Sequence, residues 1–162
     1  YIVATHQHSD HIGGIPEVLD EFEADNIIMP RLTKAQTPTN STYTAFLKAI
    51  EASEAKVIAA KPGAVYAVGG AQFEILGPVT DDAEDINSMS AVTKVTYGEN
   101  SFLITGDAET DEEKEIIKET LCDIDENIET SSKELNALID ELEGNEFDMK
   151  GLADLKKLLG GE

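Results

Sequence analysis

The feature that most constrains this chain is a short segment that contains all three of its histidines. His6, His8 and His11 lie within a six-residue window, and Asp10 lies between the last two. Residues 1–5 (YIVAT) come directly before them and are typical of a short buried strand. In an extended segment, residues two apart project to the same side, so His6 and His8 can share one metal ion.

Two further donors complete this segment. Asp10 and His11 fall at the start of a predicted helix, where the helix dipole favours a carboxylate. Four nitrogen and oxygen donors in one loop suit a divalent cation of borderline hardness, such as zinc, manganese or iron. The alternative is a polar surface loop, but chance clustering of every histidine in one window is improbable. The segment therefore predicts a metal site.

Asp107 is a second candidate ligand. It follows the apolar residues 102–104 and Gly106, at the carboxyl end of a predicted strand, where α/β proteins place reactive groups. The alternative is a helix N-cap. Thr110 and Glu113 already have the spacing of a capping box, which leaves Asp107 free for another role.

Hydrophobic periodicity predicts alternating strands and helices in the first part of the chain and helices alone after it. The expected helices are 12–22, 41–54 and 110–121. The expected strands are 1–5, 26–29, 56–60, 64–67, 71–76, 90–97 and 101–105. Two leucine-bearing helical stretches are expected at 132–143 and 149–159. We therefore predict two regions with a boundary near Cys122, namely an α/β region at 1–122 and an acidic helical tail at 123–162.

The acidic charge is concentrated toward the end of the chain. The formal net charge is −21, and residues 107–162 contain 19 acidic and 6 basic side chains. A surface this acidic repels phosphate groups, so a polyanionic substrate would need bound cations to offset the repulsion. The simpler interpretation of the acidity is solubility, which we favour over a partner-binding role.

Composition excludes several other classes of protein. The single cysteine, Cys122, excludes an internal disulfide and a cysteine-rich zinc module, and we expect it to be buried rather than nucleophilic. No apolar run approaches the ~20 residues of a membrane span. No signal peptide begins the chain, so a cytoplasmic and an exported protein both stay open. The strand-like start without an initiator methionine suggests an excerpt of a longer protein. Nothing in the sequence predicts the oligomeric state.

Two motifs resemble those of a known superfamily. THQHSDHIGG, from Thr5 to Gly14, resembles the H-x-H-x-D-H signature of the metallo-β-lactamase superfamily, and LITGDAE, residues 103–109, is similar to its later Gly-Asp motif. Over about residues 1–120 the chain resembles one branch, the hydrolase domain of ComEC-like DNA-uptake competence proteins. The segments that carry this second resemblance are GGIPEVL, LGP, NS and YGENSFL.

The resemblance implies an α/β fold, a metallo-β-lactamase-like αββα sandwich that is incomplete here and is followed by the α-helical tail. It also implies a two-metal site, with zinc as the expected metal. His6 and His8 would bind the first metal and Asp10 and His11 the second, with Asp107 bridging both.

The implied activity is metal-dependent hydrolysis of a phosphodiester or another anionic ester, from a small-molecule or nucleic-acid-like substrate bound through the metal. Paired cations lower the pKa of a shared water toward ~7, which supplies a metal-bound hydroxide, and they stabilise the oxyanion that forms. Asp10 is the expected catalytic residue, because as a ligand it can orient that hydroxide or shuttle a proton.

The sequence departs from the family at two ligands. Asn87-Ser88 stands where most members have a third histidine of the first site, so Asn87 is expected to be a weak or water-mediated ligand. A late Gly-His-His-Gly segment usually supplies another histidine, and this sequence has none after His11. One alternative function is therefore a non-catalytic metal-binding or interaction module derived from that fold. Another is an acidic scaffold whose tail helices bind a partner.

Overall fold

The first half of the chain builds a parallel sheet. In the computed structural model, which describes residues 1–80 and 85–143, this sheet has three strands in the spatial order of the sequence. They are β1 (Ile2–Val3), β2 (Asn26–Met29) and β3 (Lys56–Ala59). Parallel neighbours cannot be joined by a tight turn, so helices lie in the connections. These helices are α1 (Ser9–Ile12), α2 (Ile15–Glu21) and α3 (Ser41–Ser53).

Neighbouring residues of β2 face two different cores. Ile27 packs with Phe46 and Ile50 of α3, whereas Ile28 packs with Phe73 and Ile75 of a second sheet. This division follows from the strand itself, because successive side chains point to opposite faces. The central strand is thus buried on both faces, which explains why its sequence is continuously apolar rather than alternating.

The second sheet is an antiparallel meander. Its strands, in spatial order, are β4 (Val65–Val68), β5 (Ala71–Ile75), β6 (Thr93–Tyr97) and β7 (Asn100–Ile104). The two hairpin turns contain Gly69 and Gly98, which have φ angles of 57° and 58°, a region that glycine enters without steric cost. A short 3-10 helix (Asn87–Met89) precedes β6.

α4 (Thr110–Glu143) follows β7, and its first turns pack on the antiparallel sheet. Ile116 lines an apolar cavity together with Leu76, Val92 and Leu103 of that sheet and its edges. The layers of residues 1–117 therefore run helix, parallel sheet, antiparallel sheet, helix. This is the expected αββα order, and the α/β fold class is confirmed.

A buried carboxylate fixes the start of α4. Glu112 is only 2% exposed, and its oxygens accept hydrogen bonds from the backbone N–H of Val79 and from the hydroxyl of Thr80, the latter at 2.9 Å. A buried carboxylate is costly unless it is hydrogen-bonded, and these two donors meet that need. Glu112 therefore attaches α4 to the loop after β5.

Most predicted elements are present, but several boundaries differ. The strand predicted at 1–5 is limited to Ile2–Val3. The predicted helix 12–22 begins only at Ile15, because Gly13-Gly14 separates it from a further short helix, Ser9–Ile12, that was not predicted. The strand predicted from residue 90 begins at Thr93. The helix that begins at Thr110 does not end near residue 121 but continues to Glu143, because no glycine or proline lies between 107 and 143 and the apolar spacing persists.

The predicted helix 132–143 is the last part of α4, whereas the predicted helix 149–159 lies outside the described residues. Cys122 is exposed, so its predicted burial is wrong.

By its internal contacts the chain divides into two compact units, residues 1–117 and 118–162. The functional boundary near Cys122 stays a prediction. Within the described parts of the chain, no helix combines the length and the apolar character needed to cross a bilayer.

The core between α3 and the parallel sheet can be tested by truncating Phe46, which is fully buried. Phe46→Ala should lower the free energy of unfolding by about 3–5 kcal/mol, because it removes a large side chain and leaves a cavity. The matched control is Leu47→Ala, since the neighbouring Leu47 is 43% exposed and should cost less than about 1 kcal/mol. Urea denaturation of both variants measures the difference, and equal losses would contradict this packing.

Candidate metal centre

The histidine loop is anchored to both sheets before its side chains project. The backbone N–H of Ala91, just before β6, donates to the carbonyl oxygen of Thr5 at 2.7 Å. On the other side, the buried Gln7 side chain donates from Nε2 to the carbonyl oxygen of Pro30, at the end of β2, at 3.4 Å. The loop is therefore fixed on two sides, which limits how far its imidazoles can move.

Three of the predicted ligands form one cluster. A donor atom from each of His6, His11 and Asp107 lies within 4.8 Å of the other two. Asp107 Oδ1 is 3.2 Å from His11 Nε2, and Asp107 Oδ2 is 3.8 Å from His6 Nε2. The two oxygens of one carboxylate thus face two different histidines. Side-chain exposure rises from 0% at His6 through 24% at His11 to 41% at Asp107, so the cluster extends from the interior to the surface.

His8 and Asp10 lie at the margin of this cluster. His8 Nδ1 is 3.0 Å from His6 Nε2, and Asp10 Oδ2 is 3.7 Å from His11 Nε2. Neither belongs to the three-residue group, and the Asp10 side chain is 80% exposed. The structure therefore brings three of the five predicted ligands together and places each of the other two beside one member. The division of the five between two metals stays a prediction.

Two hydroxyl side chains that the sequence did not identify support the histidines. Ser90 is fully buried, and its Oγ accepts a hydrogen bond from the backbone N–H of Asp107 at 3.1 Å and lies 3.3 Å from His6 Nδ1. Thr5 Oγ1 lies 3.4 Å from His6 Nδ1 and 3.3 Å from His11 Nδ1. With each Nδ1 on a hydroxyl, each Nε2 faces the cluster. Thr5 adjoins the motif, but nothing in the sequence marks Ser90.

Gly106 allows this close approach. Its φ is 56°, and a Cβ built there would lie 2.9 Å from both Ser90 Oγ and Thr5 Cβ. Any other residue would thus meet strain in the backbone and overlap with the two hydroxyl-bearing side chains. The Gly-Asp motif therefore combines a candidate ligand, Asp107, with a glycine that lets it reach the histidine loop.

Asn87 lies outside the three-residue group. Its Nδ2 donates to Glu109 Oε1 at 3.5 Å, and its backbone N–H donates to Asp85 Oδ1 at 3.1 Å. Its Oδ1 is buried and, among the described residues, has no hydrogen-bond partner. A buried acceptor without a partner is rare in folded proteins. The expected weak or water-mediated ligation by Asn87 stays a prediction.

Electrostatics keep His6 neutral. Its pKa is lowered from 6.5 to about 4, chiefly by burial and then by the neighbouring imidazoles of His11 and His8, against the opposing charges of Asp107 and Asp10. At neutral pH the ring carries no proton charge, so one of its nitrogens keeps a lone pair for a metal ion. This is the protonation state that metal ligation requires.

The donor set of the cluster fits a divalent cation. Two imidazole nitrogens and a carboxylate are typical ligands of zinc, and ligand atoms around a tetrahedral zinc lie about 3.3 Å from one another. The observed separations of 3.2 Å and 3.8 Å are close to that value. Asp107 is therefore placed to bind a divalent cation together with His11, with His6 or with both.

Comparison with known proteins assigns the chain to a family. The model of the metallo-beta-lactamase superfamily matches residues 1–143, and the chain belongs to this superfamily. It is also similar to ComE operon protein 3 of Bacillus subtilis (strain 168), with 25% identity over 116 residues. The aligned part is 72% of this chain but 14% of that relative, so the chain spans a small part of the relative's length. No solved structure matches the chain.

The family predicted from the histidine and Gly-Asp motifs is thus confirmed, and the Bacillus relative supports the resemblance to the competence branch. The family match reaches residue 143, beyond the stretch of about 120 residues that the motifs cover. Members of this superfamily generally bind divalent metals, in agreement with the cluster of His6, His11 and Asp107.

The lowered pKa of His6 predicts a pH-dependent stability of the metal-free protein. Between pH 6.5 and about 4 the unfolded chain binds a proton at His6 that the folded chain does not, so stability falls as the pH falls through this window. The slope from this one group is at most about 1.4 kcal/mol per pH unit. We therefore expect the difference in free energy of unfolding between the wild type and His6→Gln to decrease as the pH falls from 6.5 to about 4. Denaturation in EDTA measures this difference. A difference that is independent of pH would contradict the neutral buried imidazole.

The close approach at Gly106 predicts an asymmetry between two glycines. Gly106 and Gly98 have φ angles of 56° and 58°, but only Gly106 has atoms within 4 Å of the added Cβ. Gly98→Ala should cost about 1–2 kcal/mol from backbone strain alone. Gly106→Ala should cost a further ~1–3 kcal/mol from overpacking against Ser90 and Thr5. Denaturation of the two metal-free variants measures this difference, and equal costs would show that the approach is looser than described.

Proposed function

We propose that this chain is a metal-dependent hydrolase that acts on a phosphodiester or another anionic ester. The observation that carries the proposal is the position of Asp107, whose two carboxylate oxygens face His11 at 3.2 Å and His6 at 3.8 Å. A divalent cation bound there, with zinc proposed and manganese or iron as alternatives, supplies a Lewis acid that polarises the ester and lowers the pKa of water.

The proposed ligands are the five predicted from the sequence. His6 and His8 serve one cation, Asp10 and His11 serve the second, and Asp107 bridges them. The geometry that supports the bridging role is the arrangement of one carboxylate between two imidazoles. Ser90 and Thr5 act behind the ligands, because their hydroxyls contact the Nδ1 atoms and orient the rings.

Asp10 is the proposed catalytic residue. Its side chain is 80% exposed and its Oδ2 lies 3.7 Å from His11 Nε2, so it is on the solvent side of the cluster, where a substrate can arrive. A carboxylate in that position can orient a water by accepting its hydrogen bond and can take up its proton at Oδ2. The buried His6 is unsuited to exchange protons with solvent, whereas the Asp10 carboxylate is more exposed than His6, His11 and Asp107.

The charge of the chain makes an anionic substrate dependent on the metal. At a net charge of −21 the protein repels a phosphodiester, and bound cations offset this repulsion locally. The similarity to the competence branch favours a phosphodiester over other anionic esters. We assign the activity to residues 1–122 and treat residues 123–162 as an acidic tail.

A second candidate function is a metal-binding or interaction module without turnover. Its support is the ligand count: the sequence has no histidine after His11, and Asn87 lies outside the group of three. An incomplete ligand set can retain one cation while the second binds weakly. Metal binding without hydrolysis distinguishes this module from the enzyme.

The test combines calorimetric titration with zinc, manganese and iron and an assay with bis(p-nitrophenyl) phosphate. Wild-type protein should bind at least one zinc and hydrolyse the ester, and EDTA should abolish the hydrolysis. Asp107→Asn should weaken zinc binding by at least about 100-fold, since it removes the charged proposed ligand that faces both histidines. It should also reduce hydrolysis to the background rate.

The matched control is Asp20→Asn, which makes the same charge change at an exposed position of α2, nine residues after the nearest proposed ligand in the sequence, His11. This variant should retain both zinc binding and activity. Metal binding that Asp107→Asn abolishes, without hydrolysis of any ester tested, would support the module instead. Absence of metal binding by the wild type would overturn both functions.

A further inference from the structure

α4 carries a regular apolar seam that is exposed to solvent. Its members alternate at spacings of four and three residues, with Ser131 at the one position where the pattern has no apolar side chain. Their exposures lie between 38% and 59%. We call this set the α4 seam, and it consists of Ile117, Leu121, Ile124, Ile128, Leu135 and Leu138.

The spacing of the seam is that of a coiled coil. Alternation of four and three residues gives an average of 3.5, which keeps apolar side chains on one line along a helix and lets a second helix pack against them. From Ile117 to Leu138 the seam is about 33 Å long at 1.5 Å per residue. Single exposed apolar residues are ordinary on protein surfaces, but a line of this length, interrupted only at Ser131, is typical of an interaction surface.

Charge selects the kind of partner. α4 contains 13 acidic and 3 basic side chains, and the whole chain has a net charge of −21. Pairing with a second copy would bring two such helices within about 10 Å of each other, where salt at physiological strength screens the repulsion only in part. A helix with basic flanks would replace this repulsion with attraction.

The residues beside the seam indicate where the attraction would act. Asp125 directly follows Ile124, and Glu134 directly precedes Leu135. In a coiled coil these are flanking positions, where opposite charges of the partner helix set the choice of partner. Both side chains are exposed.

We propose that the α4 seam binds a basic amphipathic helix of another protein as a two-helix coiled coil. The seam supplies the apolar contacts, and the acidic surface of α4 supplies the selectivity for a basic partner. This interaction is separate from the metal centre and does not depend on the proposed hydrolysis.

The test uses the full chain and two synthetic helical peptides. Both peptides carry leucine and isoleucine in the same heptad pattern, but one has lysine and the other glutamate at the flanking positions. Fluorescence anisotropy should show the lysine peptide binding at least about tenfold more tightly than the glutamate peptide. Raising the salt concentration from 0.1 M to 0.5 M should reduce this difference.

Two double variants with matched composition locate the surface. Leu121→Asn with Ile128→Asn interrupts the seam and should weaken binding of the lysine peptide by at least about 30-fold. Thr130→Asn with Ala137→Asn introduces the same residues at exposed positions off the seam and should change the affinity by less than about twofold. Circular dichroism checks that both variants keep the helix content of the wild type.

Three results would overturn the proposal. Equal affinity for the two peptides, or no binding of either, would remove the selectivity for a basic helix. An equal loss in both double variants would place the contact outside the seam. Concentration-dependent dimerisation of the wild type that Leu121→Asn with Ile128→Asn abolishes would make a second copy of this chain the occupant.

Discussion

The hydrogen bond from the Ala91 amide to the Thr5 carbonyl oxygen joins the two sheets at the point where the histidine loop begins. Thr5 lies two residues after β1 and Ala91 precedes β6, so residues distant in sequence become neighbours there. Ser90, next to Ala91, then reaches both His6 Nδ1 and the backbone N–H of Asp107. The loop from one sheet and the ligand from the other are thereby held against one buried hydroxyl.

This junction explains how an acidic protein can carry a cluster of imidazoles without protonating all of them. His6 lies on the buried side, where loss of solvation, together with the neighbouring imidazoles, lowers its pKa to about 4 and the ring stays neutral. Asp107 lies on the exposed side, between His6 and His11, and its charge is accessible to a cation. The cluster thus combines a neutral buried nitrogen with an exposed carboxylate, which is the donor chemistry that a divalent cation requires.

The sequence predicted the parts of the site that belong to a recognisable motif. His6 and His11 belong to one motif, and the Gly-Asp motif at the end of a strand identified Asp107. Ser90 could not be predicted, because its role arises from a contact with a residue 84 positions away and an isolated serine has no periodic or compositional signal. The helical continuation beyond residue 121 was missed for a different reason. Ile124 and Ile128 extend the apolar spacing, but acidic residues dominate the segment and weaken the pattern.

X-ray absorption spectroscopy of the zinc-loaded full chain tests the central claim most directly, because it counts the imidazole ligands of the bound ion. We expect a first coordination shell of nitrogen and oxygen donors that includes imidazole, and a lower imidazole count in His11→Ala. A shell of oxygen donors alone, or a spectrum that His11→Ala leaves unchanged, would contradict the assignment of the His6, His11 and Asp107 cluster as a metal centre.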